Sequence, residues 1–185
     1  MTQQYRRTGT YVAFHAEGTS NQTESDMKYY RLLQAWNVRE DNDFHFVNSH
    51  DKTSAVRDTS QKETLRKALV TRLLRSKNMI LIIGDTTRLD NDWIPFEIAY
   101  AVDNCGIPII AAYTEYDRIL NPRGLQSLWP AALKARIENN TANVIHIPFK
   151  QAPLIDAVDQ FNVNNLPKGG GLGIYSIETY QEWGL

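Results

Sequence analysis

The sequence predicts a doubly wound parallel α/β sheet, and three observations predict it. Segments 79–84 (MILIIG) and 107–113 (IPIIAAY) are near-continuous apolar runs of strand length, the pattern of strands covered on both faces. Three further short segments rich in strand formers, 10–16 (TYVAFHA), 44–47 and 143–147, bring the number of strands to five. Stretches with apolar residues at helical spacing separate them, and strands joined through helices lie parallel because each crossover must pack on a sheet face.

The first strand runs into a polar loop, 17–25 (EGTSNQTES), after which Ser25 or Asp26 can cap a helix carrying Tyr29, Tyr30, Leu32, Leu33 and Trp36 and ending near Asn37. The second strand is followed by another polar loop, 48–60, and by a helix with Leu65, Ala68, Leu69, Arg72 and Leu73 on one stripe. Between the two most apolar strands, Asn91 or Asp92 caps a helix running to Asn104. Pro95 is tolerated there because first-turn amides have no helical partner, and Gly106 is the natural stop. A helix over 153–162 closes the fold. Five strands in this alternation suit a flavodoxin-like order, 2-1-3-4-5, with helices on both faces.

Two segments exceed that plan within a single domain spanning 1–185. Residues 114–142 are too long for an ordinary connection, contain Trp129-Pro130 and a helix over 131–138, and read as an insertion. The tail, 166–185, joins a glycine cluster (KGGGLGIY) to Tyr175, Tyr180 and Trp183, and packs either on the domain or on a partner. Those glycines lack the Lys-Ser/Thr that completes a phosphate-binding loop and read as a flexible turn. The aromatic tail and the insertion around Trp129 offer apolar surface beyond a five-stranded core, which points to a homo-oligomer.

Composition narrows the function classes. In 185 residues, 42% hydrophobic and 22% charged, 20 Lys+Arg face 21 Asp+Glu, so no global field attracts nucleic acid or an anionic membrane. No stretch approaches the roughly 20 apolar residues that span a bilayer, and no signal-peptide pattern follows Arg6 and Arg7, so the reading is a soluble cytoplasmic protein. The single cysteine, Cys105, excludes an internal disulfide. It reads as a helix-end packing residue, since no basic group is placed nearby in sequence to activate it. No metal-ligand spacing occurs among the His, Cys and acidic residues.

In an open parallel sheet of this order, ligands bind beyond the carboxyl ends of the strands where the first and third diverge. That rule selects the loop after the first strand, from His15 to Ser25, and the loop after the third, from Gly84 to Asp92. The helix leaving the latter begins DWIPFE, which puts Trp93 and Glu97 four residues apart on one helical face at the rim of the crevice. A carboxylate there suits glycosidic chemistry, since loss of a nicotinamide leaves an oxocarbenium-like ribose that an anion stabilises. Trp93 can stack on a purine or pyridinium, and Thr19, Ser20, Asn21, Gln22 and Thr23 can meet ribose or phosphate oxygens. Asp85 is placed to meet a ribose hydroxyl or to cap its own turn, and His15 points to the crevice or into the core. From spacing alone, a solvated Glu97 and a packing Trp93 remain the competing reading.

The stretch from LRKALVTRLLRSKNMILIIGDTT to DWIPFEIAYAVDNCGIPIIAAY, with TYVAFHA upstream and a polar loop before Asp26, resembles the TIR-like subunits of Thoeris anti-phage defence. The resemblance covers roughly 8–113 and is strongest over 76–113. It implies that Glu97, in W-x-x-x-E, is the catalytic carboxylate of an enzyme that consumes NAD and makes a cyclic ADP-ribose isomer activating a partner effector. By matching position it makes Trp93, Phe14 and His15 pocket residues. The first loop departs from the compact TIR pattern because its Asp26 comes late, and 48–60 carries no anchoring motif, although Lys52 or Arg57 can meet phosphates. Two alternatives stand beside this reading. A nucleoside deoxyribosyltransferase also bears a Glu on the helix after the third strand but would carry a D-G-T ahead of it, and a TIR-like scaffold would oligomerise without catalysis.

Overall fold

The computed structural model describes residues 7–15, 27–37, 46–47 and 59–185. The loop residues Thr19, Ser20 and Asp26, and Lys52 and Arg57, lie outside the described residues.

The strands are β1 (Gly9–Ala13), β2 (Phe46–Val47), β3 (Ser76–Ile83), β4 (Ile109–Tyr113), β5 (Val144–Pro148) and β6 (Gly173–Ile174). They form one sheet of order β2-β1-β3-β4-β5-β6 in which each described pairing is parallel. The five expected strands are present in the expected order, and the tail adds β6 beside β5. The helices are α1 (Met27–Asn37), α2 (Thr59–Leu74), α3 (Trp93–Ala99), α4 (Ala131–Glu138), α5 (Gln151–Gln160) and α6 (Ile177–Glu182).

Strand alternation divides the core into two layers. Tyr11, Ala13, Met79, Leu81, Ile83, Ile109, Ala111 and Tyr113 point to one face and pack with Leu69 and Leu73 of α2, Ile94 and Ile98 of α3, and Leu133 and Ile137 of α4. Val12, Phe14, Ile80, Ile82, Ile110 and Ala112 point to the other and pack with Tyr30 and Leu33 of α1, Leu154 and Val158 of α5, and Tyr180 of α6. The central strands are buried on both faces, as their unbroken apolar runs require.

The structure corrects or refines several local expectations. The carboxylate that caps α3 belongs to Asp90, not to Asn91 or Asp92: its Oδ1 accepts from the amides of Asp92 and Trp93 (both 2.9 Å) and Ile94 (3.4 Å), and Asp92 makes no side-chain cap. The helical segment runs on to Cys105 and is closed by left-handed Gly106, as expected, but beyond Ala99 it widens into a π-helical turn over Tyr100–Cys105, a change of hydrogen-bond register that side-chain periodicity does not encode.

The tail and the insertion are refined in the same way. The tail glycines divide between a turn and a close approach: Gly169 and Gly170 take positive φ in the expected turn, whereas a Cβ on Gly173 would lie 2.6 Å from the Val144 carbonyl oxygen and 2.8 Å from that of Lys168, and one on Gly171 would lie 3.1 Å from Ile137 Cα. Only hydrogen at those positions lets the backbone reach β5 and α4. The large aromatic side chains of tail and insertion pack within the chain, whereas Leu120 of the insertion and Leu166, Ile174 and Ile177 of the tail stay exposed. Tyr180 and Tyr175 are buried and Trp183 packs on them edge-on. Trp129 is also buried, its indole donating to the Tyr113 hydroxyl (2.7 Å), which lies 2.8 Å from His146 Nδ1. His146 Nε2 meets the Gly171 carbonyl at 2.9 Å, which ties the tail to the insertion, and desolvation lowers the His146 pKa to about 4, so the ring is neutral.

Candidate active site

The order β2-β1-β3 places the ends of β1 and β3 at the switch of winding direction, with α1 leaving on one face and α3 on the other. Two side-chain pairs join β1 to the α3 region there, across 75 and 86 residues of sequence.

The first pair is Glu97 with Tyr11. Glu97 lies one turn into α3 and has no solvent exposure, so it sits beneath the rim of the crevice, not on it. Tyr11 projects from the middle of β1 toward the same layer and its hydroxyl donates to Glu97 Oε1. Burial, then the charge of Glu97 and the hydrogen bond to it, raise the Tyr11 pKa well above that of a free phenol, against a smaller opposing pull from Arg72. Tyr11 therefore stays protonated and acts as a donor. A buried carboxylate costs several kcal/mol unless hydrogen bonds or charges compensate it, and Tyr11 supplies one of those bonds.

The second pair is His15 with Asp90. His15 Nδ1 is 3.2 Å from Asp90 Oδ2, and both side chains are largely buried, with 17% and 11% exposure. Burial pushes the Asp90 carboxyl up, but the His15 contact and the amides of Asp92 and Trp93 outweigh it and hold the pKa at about 2. Asp90 thus uses one oxygen to cap α3 and the other to hold the ring at the end of β1.

Trp93 is half-buried, and its ring lies under the cations of α2, with Lys62 Nζ 5.7 Å and Arg66 Cζ 6.0 Å from the ring centroid. Both cations pair with Asp92, Arg66 at 3.3 Å. Among the other expected pocket residues, His15 lies at the carboxyl end of β1 beside the β3–α3 connection. Phe14 points into the α1 layer, 1% exposed and stacked on Tyr30 at 5.0 Å, so it supports the site from below and does not line it. Asp85 is exposed on the β3–α3 connection. Cys105 is buried, and desolvation raises its thiol pKa, in keeping with a packing role. No cluster of three potential metal ligands occurs among the described residues. Tyr11 and Asp90 were missed from the sequence. Alternation along β1 would have put Tyr11 on the α3 face, and an Asp three residues before Trp93 is a capping pattern in its own right.

This arrangement defines a class: a parallel, doubly wound α/β domain of TIR-like type with a helix-borne carboxylate buried at the switch point. The family model described as "Thoeris protein ThsB, TIR-like domain" matches residues 11–119, more than half the chain, and the protein belongs to that family of the Thoeris defence system. Among solved structures the chain is similar in fold to a conserved protein from Enterococcus faecalis V583, at a TM-score of 0.51 and 15% identity over 83% of this chain and 98% of that one. No helix among the described residues is long and apolar enough to cross a membrane.

Proposed function

We propose that the protein consumes NAD, cleaving the nicotinamide–ribose bond to give an ADP-ribose product, linear or cyclic, that activates a partner effector in anti-phage defence. The observation that carries this reading is Glu97: a carboxylate removed from water, hydrogen-bonded by Tyr11, on the helix that leaves the switch point in a Thoeris TIR-like domain. An anion in a water-poor site acts on a developing positive charge far more strongly than it would in bulk water. As the C–N bond lengthens, positive charge spreads over the ribose while the bonding pair returns to the departing nicotinamide, and Glu97 is the group that stabilises that charge. Trp93, with Lys62 and Arg66 over its ring, supplies an aromatic face and two cations of the kind that hold a base and a diphosphate.

The test is mass spectrometry of products after incubation with NAD, with and without phage-infected lysate, for the wild type and Glu97→Gln. Nicotinamide release by the wild type and its loss in a folded Glu97→Gln protein is the expected result. The full burial of Glu97 favours one second reading, a structural carboxylate in a non-catalytic scaffold, and absence of nicotinamide release under both conditions selects it.

A further inference from the structure

We infer that His15 is the proton acceptor of this site and that Asp90 is the residue that positions it, a role that rests on the NAD-cleaving reading above. Three observations carry the inference. His15 stands directly beyond β1 at the switch point, where the topology places the ligand crevice. Its Nδ1 meets Asp90 Oδ2, and the opposite oxygen of that carboxylate is held by the first-turn amides of α3, so the acceptor is locked to a rigid element and does not swing freely. An ionised carboxylate only accepts hydrogen bonds, so the hydrogen of this bond lies on Nδ1, and in the neutral ring Nε2 is the basic atom.

The reaction needs such a group. When an oxygen nucleophile, water or a ribose hydroxyl, forms its bond to the anomeric carbon, the C–N pair leaves with nicotinamide, which departs neutral from its pyridinium form. The proton left on the attacking oxygen goes to His15 Nε2 and from there to solvent. Asp90 stabilises the resulting imidazolium through the Nδ1 hydrogen bond. Glu97, engaged by Tyr11 in the buried layer, stabilises the ribose cation, so the two tasks fall to separate groups. The charged groups of the adjoining described elements are Asp85, Arg88, Asp90 and Asp92 on the β3–α3 connection, Glu97 on α3, Lys28 and Arg31 on α1, and Lys62, Glu63, Arg66, Lys67 and Arg72 on α2, of which Lys62 and Arg66 pair with Asp92. Asp90 is in hydrogen-bond contact with the His15 ring.

The experiment has a spectroscopic arm and a kinetic arm, both on the full chain. Nitrogen-15 ring correlations of His15 without NAD report the tautomer directly: a neutral Nδ1–H ring in the wild type, and a downward-shifted titration midpoint in Asp90→Asn, which keeps an acceptor for the α3 cap but loses the charge. In NAD turnover, His15→Gln lowers kcat by about 100-fold or more, in the range of a lost proton-transfer group, with KM within about threefold. Asp90→Asn lowers kcat less and moves the acid limb of the pH–rate profile to lower pH. A neutral Nε2–H ring, a midpoint unmoved by Asp90→Asn, or His15→Gln turning over NAD at the wild-type rate overturns the inference while leaving NAD cleavage intact. A wild type that releases no nicotinamide overturns the reading of the reaction itself, and the His15 assignment with it.

Discussion

Replacing Tyr11 with Phe removes a single oxygen from the core and takes a hydrogen-bond donor from a carboxylate that has no solvent exposure. A hydrogen bond to a charged group contributes about 1.5–3 kcal/mol, against about 0.5–1.5 kcal/mol for a neutral pair. Tyr11→Phe therefore destabilises the domain by about 1.5–3 kcal/mol when Glu97 is ionised, a fall in Tm of about 3–12 °C for a chain of this size. In a Glu97→Gln background the same change costs about 0.5–1.5 kcal/mol, because the amide oxygen is a neutral acceptor. A double-mutant cycle built from urea unfolding of wild type, both single variants and the double variant reads the difference, and a coupling of about 1 kcal/mol is expected at neutral pH. Equal costs of Tyr11→Phe in the two backgrounds would mean that Glu97 is already neutral in the folded protein. That result refutes the argument that its charge is held in readiness for the ribose.

Other consequences are open to similar measurement. Asp90 has a folded pKa of about 2, below its ordinary value, so its stabilising effect is present above about pH 4 and is lost as pH falls towards 2; an acid unfolding series should show Asp90→Asn lacking about 2 kcal/mol of that dependence. Gly173→Ala forces a Cβ against two backbone oxygens and should cost about 1–3 kcal/mol, with limited proteolysis cutting the tail near β6 earlier than in the wild type. Trp93→Ala removes a half-buried ring beneath Lys62 and Arg66 and should raise the KM for NAD by about tenfold, roughly the 1–3 kcal/mol of a stacked aromatic contact, as read by initial-rate kinetics. An unchanged KM with lowered Tm would make the ring a packing anchor.

Local patterns determined much of this protein without reference to its tertiary structure. The unbroken runs MILIIG and IPIIAAY identified the doubly buried strands, helical spacing located α1 and α2, and residues 131–138 were read as a helix with the bounds the structure shows. W-x-x-x-E placed Trp93 and Glu97 on one helix because four residues make about one turn. These features are legible because strand alternation, helical period and end signals are properties of neighbours along the chain. What joins distant segments was not legible. Whether Glu97 stands at a wet rim or beneath it depends on packing that includes Tyr11, 86 residues away, and the partner that holds the His15 ring is Asp90, 75 residues away. The glycine cluster read as a loose turn because glycine alone does not reveal whether its missing side chain provides freedom or close approach. Only the carbonyls of Val144 and Lys168 beside Gly173 decide for approach. The same holds for Trp129 and Tyr180, large aromatics that resemble spare surface in sequence and become core once β4, β5 and the tail are packed together, since burial belongs to the neighbours that folding supplies and not to the residue itself.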